Sequence, residues 1–331
     1  MTAFSSEIPA RSLPLSSRAP GKCILFGEHA VVRGAPELLL AIDLTTQVLI
    51  RDAPTFTLNA DASGLEHNPY FRAAVEQCWK ETRPVALRAV SRIPRAAGLG
   101  SSAAFVAATV AAMGAASGGI SRADLAQRSF AVERGAQGVG SPGDTSACVA
   151  GGYVTMNGGT GTTLWSLAQD GQTWTVRRAP DPGWTWVVAY TGVPRSTAEA
   201  VRAVNRRLDE PGGQELLAEF VRVATEGIHA LEAEDRAGVA SLMTQNQELL
   251  RQAGVSHPRI EALLEAAAPV ADGSKLTGAG AGGSIVILPR AGREVELLRR
   301  LARAGGLAFV VRPAPMGAEL IESTDSQPTP G

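Results

Sequence analysis

Apolar and polar positions follow two periods along this chain, and the period switches often. Short apolar or alternating runs at residues 23–26, 46–50, 85–93 and 284–288 predict strands, the third ending at Pro94. Residues 149–156 mix glycine with β formers and predict another, as do 184–190 and 307–311. Between these runs the spacing turns helical. The alanines of 101–116 predict a helix opening near Ser101, and residues 123–135 predict a second. Leu217, Phe220, Val221, Ala224, Ile228 and Leu231 recur at helical spacing, and Val239, Leu242, Met243, Asn246, Leu249 and Leu250 do so again. Pro258 suits the first turn of a further helix, and 294–304 predicts one more. Strands and helices interleave throughout, so the class is α/β or α+β. Residues 179–183 hold two prolines and a glycine and read as a break. Residues 1–16, rich in Ser and Pro, read as a flexible leader, and 325–331 as a frayed tail.

Composition narrows the classes. At 331 residues the chain has room for two domains, and 45% hydrophobic against 19% charged residues describes a packed core rather than disorder. Lys and Arg number 31 against 32 Asp and Glu, which leaves no overall basic footprint for nucleic acid. The uncharged stretch 96–121 is built of Ala, Gly and Ser, too weakly apolar for a membrane span. Cys23, Cys78 and Cys148 are far apart and form no CxxC pair, so they build no structural zinc site and suit a reducing cytoplasm. The N-terminus lacks the apolar stretch of a signal peptide.

Candidate chemistry gathers where glycines meet predicted element ends. In the run from Pro94 to Ala104, Gly98, Leu99, Gly100, Ser101 and Ser102 precede a helix. Free N–H groups at a helix N-terminus bind phosphate, and a serine hydroxyl there reaches a magnesium ion. The competing reading is a plain helix capped by Ser101 or Ser102 after a tight turn. The run Lys275 to Gly283 contains GxGxxG by the letter, but a strand follows it rather than a helix, which excludes a dinucleotide fold. It reads as a flexible loop closing over a ligand, or as a glycine-rich hairpin. Lys22, Glu28 and His29 flank the apolar run 23–26; each alone is also what a surface charge or turn looks like. There is no P-loop and no HExxH. Glu133 and Asp144 are joined by a glycine-rich loop, and phosphoryl transfer needs one carboxylate for metal and one for the acceptor hydroxyl. An exposed helix charge and an N-cap are the alternatives for these two.

In order, APGKCILFGEHAVV, PRAAGLGSSAA, the Glu133–Asp144 loop and KLTGAGAGG resemble the GHMP kinase superfamily over about residues 18–312. Within it, the GEHAVV form, Gly254–Pro258 and Val193–Thr197 resemble the mevalonate kinases. Three positions depart from their pattern: Ser141-Pro142-Gly143-Asp144-Thr145 replaces a PSGxDN form, Arg33 a frequent tyrosine, and Ala281 a common glycine.

The resemblance implies a two-domain fold. An S5-like ATP-binding unit would span 17–180 and a ferredoxin-like unit 184–324, with the site in the cleft between them. It implies transfer of the ATP γ-phosphoryl to the 5-hydroxyl of mevalonate. Pro94, Gly98, Leu99, Gly100, Ser101 and Ser102 would hold ATP, and Ser102 and Glu133 would hold Mg2+. Asp144 would take or orient the hydroxyl proton, and Lys22 would offset charge beside it. Glu28 and His29 would hold the acceptor's hydroxyl end, Arg195 its carboxylate, and Thr277, Gly278 and Ala279 would line the closed site. Dimers are frequent among the proteins it resembles, so a homodimer is expected. The competing functions are a GHMP kinase for another acceptor, and a non-catalytic ligand sensor.

Overall fold

Glycine and proline punctuation cuts the chain into short strands and longer helices. The computed structural model describes residues 6–138, 140–194 and 197–322. Among them the strands are β1 (Glu7–Ile8), β2 (Leu15–Phe26), β3 (Glu37–Asp52), β4 (Thr57–Leu58), β5 (Val85–Ser91), β6 (Ile120–Ser121), β7 (Tyr153–Met156), β8 (Thr163–Gln169), β9 (Gln172–Ala179), β10 (Trp186–Tyr190), β11 (Ala271–Thr277), β12 (Ser284–Pro289), β13 (Leu307–Val311) and β14 (Glu319–Ile321). The α-helices are α1 (Gly64–His67), α2 (Pro69–Cys78), α3 (Ser101–Ala116), α4 (Arg122–Gln137), α5 (Gly143–Ala150), α6 (Thr197–Asp209), α7 (Gly213–Glu232), α8 (Arg236–Gln252), α9 (Pro258–Ala267) and α10 (Glu294–Arg303).

Two sheets result. The first runs β14-β2-β3-β7-β9-β8, with β5 also paired to β3. The long strand β3 pairs with β2 along one edge and serves two partners on the other: its start pairs with β7, from Glu37 opposite Met156, and its end with β5, from Thr46 opposite Ser91. Helix α3 packs against β2 and β3, with α2, α4 and α5 around it. Twelve of its sixteen residues are buried, nearly all small, which is why it can be surrounded on all sides. Among the described residues, no helix is long and apolar enough to cross a membrane. The second sheet is β11-β12-β10-β13, antiparallel throughout, with α8, α9 and α10 packed on it. Helix α7 packs on α8 and also reaches the first sheet, where a Cβ on Gly227 would meet the Phe26 ring at 2.5 Å. The chain is a mixed α/β protein with two sheets, as the class expectation has it.

Three expectations change. The strand predicted over 149–156 is half helix: α5 continues to Ala150, Gly151 and Gly152 turn the chain at φ 72° and 60°, and β7 starts at Tyr153. The expected leader is tied down from residue 7: β1 pairs with β6, the Arg11 amide donates to the Ala115 carbonyl at 2.9 Å, and Leu15 already begins β2. Burying Ile8 and Leu15 supplies the apolar reason. The expected C-terminal unit gives up residues 313–321 to the first sheet, through the Ile42–Pro313 bridge and the β14–β2 pairing. Residues 325–331 of the predicted tail lie outside the described residues.

Candidate active site

The loop before α3 is held against β2 by glycines on both sides. A Cβ on Gly21 would stand 2.7 Å from the Leu99 carbonyl, and the Lys22 amide donates to that carbonyl at 3.0 Å. Ala96, Gly98 and Gly100 all have positive φ, winding the loop tightly. Gly100 occupies the N-cap of α3, and no side chain caps that helix. The expectation that Ser101 or Ser102 caps it is therefore corrected. Contrast α2, α4, α8 and α9, whose first turns are capped by Asn68, Ser121, Asp235 and His257. At α3 the free N–H groups and the positive end of the dipole stay open for an anion.

Lys22 extends beneath this loop. Its side chain is 1% exposed; Nζ donates to the Gly98 carbonyl at 3.2 Å and pairs with Asp144 Oδ1 at 2.9 Å. A Cβ on Gly100 would come within 2.8 Å of Lys22 Cγ, so glycine there makes room for the ammonium stem. Asp144 sits in the first turn of α5, 36% exposed, with one oxygen on the buried lysine.

Glu133, on α4, faces the same loop. Ser102 Oγ donates to its Oε1 at 2.8 Å and Gln137 Nε2 at 3.0 Å. Tyr70, on α2, brings its hydroxyl to Ser102 and Gln137. Burial, then the charge of Asp144, pushes the Glu133 carboxyl up to about 7, against the pull of Ser102, Lys22 and Gln137. Ser102 and Glu133 together offer a hydroxyl and a carboxylate. Mg2+ takes one or two such protein oxygens and completes its shell with phosphate and water, so the pair fits that ion. Among the described residues no group of three or more His, Cys, Asp or Glu could hold a metal.

The GEH segment follows the end of β2. Gly27, at φ 96°, turns the chain after β2. Glu28 is 1% exposed, with one oxygen on Lys275 Nζ and the other accepting from Asn246 Nδ2 at 3.0 Å. Thr277 Oγ1 accepts from the Ile24 amide at 2.7 Å and donates to the Ile24 carbonyl at 3.0 Å. Both polar groups are thus engaged within the protein. They join β11 and α8 to the end of β2. Burial pushes the Lys275 ammonium down, and the Glu28 charge opposes it. Ser284 on β12 adds a bond to the Ala97 carbonyl at 2.8 Å, tying the second sheet to the loop before α3. His29 is buried beside Glu28 at φ 65°. Residues 275–277 are the end of β11, so the expected flexible loop shrinks to 278–283. There Gly278 has φ 80°, Ala279 is buried, and Ala281 adopts φ 58°, a conformation a glycine takes at no cost. Arg33 bonds Asp209 at 2.8 Å, on α6. Arg195 lies outside the described residues.

Sequence reasoning passed over Glu37, Tyr70, Gln137, Lys275 and Asn246. Asn246 carried a signal, a polar residue inside an apolar stripe. Glu37 is treated below.

Comparison with known proteins adds the family. The GHMP kinases N terminal domain model matches residues 69–152, and the GHMP kinases C terminal model matches 228–307. The mevalonate kinase of Pyrococcus horikoshii is 30% identical over 340 aligned residues, covering 92% of this chain and 97% of that protein. That of Archaeoglobus fulgidus is 32% identical over 275, covering 81% and 89%. A crystal structure of mevalonate kinase superposes with a TM-score of 0.74 at 25% identity, covering 91% and 99%. Motif order, the open N-terminus of α3 with its carboxylates, and relatives aligned nearly end to end agree: the chain belongs to the GHMP kinase family.

Proposed function

We propose that the chain transfers the γ-phosphoryl of ATP to the 5-hydroxyl of mevalonate, giving 5-phosphomevalonate and ADP. The relatives named mevalonate kinase supply the acceptor. The observation that carries the chemistry is the Lys22–Asp144 pair at 2.9 Å, set beside the open N-terminus of α3. In this reading the triphosphate lies along Pro94 to Ser102, against the N–H groups of α3. Ser102 and Glu133 would hold Mg2+, which would supply charge neutralisation for the phosphates. Asp144 accepts the hydroxyl proton as the acceptor oxygen bonds to the γ-phosphorus and the bond to the bridging oxygen breaks. Lys22 holds Asp144 in place, and its charge offsets that of the transferring group. The nucleotide belongs to the unit 17–180, and the acceptor lies in the cleft between that unit and 184–324. His29, Gly278 and Ala279 line the acceptor's side, and Arg195 takes its carboxylate. A homodimer in the cytoplasm completes the reading; the three buried free thiols suit that compartment.

The test is ADP release with Mg-ATP across mevalonate, phosphomevalonate, galactose and homoserine. Turnover on mevalonate alone is expected. Asp144→Asn should lower kcat by about 10²–10⁴-fold and leave nucleotide binding intact. Turnover on a different acceptor overturns the substrate; a near-normal kcat in the variant overturns the base.

A further inference from the structure

Glu37 opens β3 and is 2% exposed, yet its Oε2 has no hydrogen-bond partner among the described residues. A buried carboxyl left so is costly, and native proteins rarely keep one without a use. Two glycines make room for it. A Cβ on Gly143, the residue before Asp144, would stand 2.3 Å from Oε2, and one on Gly27, the residue before Glu28, would stand 2.7 Å from Glu37 Cα. The charged groups around it are Asp144 on α5, Lys22 on β2 and Glu28 after β2. Glu37 therefore sits between the proposed base and the GEH turn, on the acceptor's side of the Lys22–Asp144 pair.

We infer that Glu37 is an acceptor-binding residue: a neutral carboxylic acid whose O–H donates a hydrogen bond to a non-reacting oxygen of the hydroxy-acid acceptor. Burial, with the Asp144 charge adding to it and Lys22 opposing, raises this carboxyl well above the usual range, which favours the protonated form. Neutrality matters because a second negative charge beside Asp144 would repel both an anionic acceptor and the γ-phosphate. A neutral acid can donate where a carboxylate can only accept. Bound acceptor would give the orphaned group its partner.

The inference rests on the proposed acceptor kinase activity, and its readouts are ratios to wild type on whichever acceptor of the panel is turned over. Failure of the mevalonate assignment and failure of Glu37 are thereby separate results. Glu37→Gln keeps shape and a donor, and should hold acceptor KM within about threefold of wild type. Glu37→Leu removes the donor and should raise acceptor KM about tenfold or more, with KM for ATP unchanged. Should Glu37→Leu fail to fold, Glu37→Met fills the same volume. An infrared difference spectrum on adding, without nucleotide, the acceptor of the panel that is turned over gives a second reading. Wild type should show a protonated-acid carbonyl band that shifts, and Glu37→Gln should lack it. An acceptor KM in Glu37→Leu or Glu37→Met within twofold of wild type, or an acid band that the turned-over acceptor does not move, overturns the inference.

Discussion

At Glu133 the carboxyl holds its proton up to about pH 7, because it is buried and faces the charge of Asp144. A cation there needs the ionised form, so metal and proton compete. Lowering the pH from 8 to 6 should weaken Mg-ATP binding. Near pH 7 the binding should release a proton, seen as a heat that varies with the ionisation enthalpy of the buffer. Glu133→Gln should remove the buffer dependence; an equal dependence in that variant would argue that another group titrates. Glu133 was legible because two carboxylates joined by a glycine-rich loop suit phosphoryl transfer. Lys22 and Gly98–Ser102 were legible because glycine spacing is read locally. Glu37 was not: a lone glutamate after Pro36 looks like a solvated strand end, and only the fold brings Gly27 and Gly143 onto it. Tyr70 and Gln137 are single polar residues on helices and carry no pattern.

Between elements, the Glu28–Lys275 pair fastens β11 to the turn after β2, with both side chains fully buried. Removing one partner leaves the other charged and dry. Lys275→Met should cost about 3–5 kcal/mol, read from the urea midpoint, and Glu28→Gln in the same chain should recover part of it. Equal stability of Lys275→Met and wild type would mean the pair contributes nothing. Element reading from sequence worked where one period ran long, as for α3 at Ser101–Ala116. It failed at 149–156, because a short apolar run suits a buried helix end as well as a strand. The β8–β9 hairpin was passed over although its turn is Asp170-Gly171, a strong hairpin pair, both at positive φ.

For the whole molecule, the return of the C-terminal strand decides what can be separated. β14 pairs with β2, the Gly152 amide donates to the Ala314 carbonyl at 2.6 Å, and buried Arg122 donates to the Ala318 carbonyl. A chain ending at Val311 should therefore lose stability in its N-terminal unit, with a lower thermal midpoint and loss of nucleotide binding. An unchanged midpoint would show that β14 is dispensable. Sequence could not reveal this pairing, because β14 is short and its partner lies some three hundred residues away. The free cysteines carry a practical consequence. Burial pushes the Cys23 thiol up to about 12 and that of Cys78 to about 11, and raises Cys148 as well. Thiolate, the reactive form, is scarce at neutral pH. All three lie in the N-terminal unit, Cys23 next to Lys22 on β2, Cys78 on α2 with Tyr70, and Cys148 on α5 with Asp144. The rate at which a maleimide or disulfide reagent modifies the native enzyme therefore times the opening of that unit alone, and nucleotide that closes it should slow the clock.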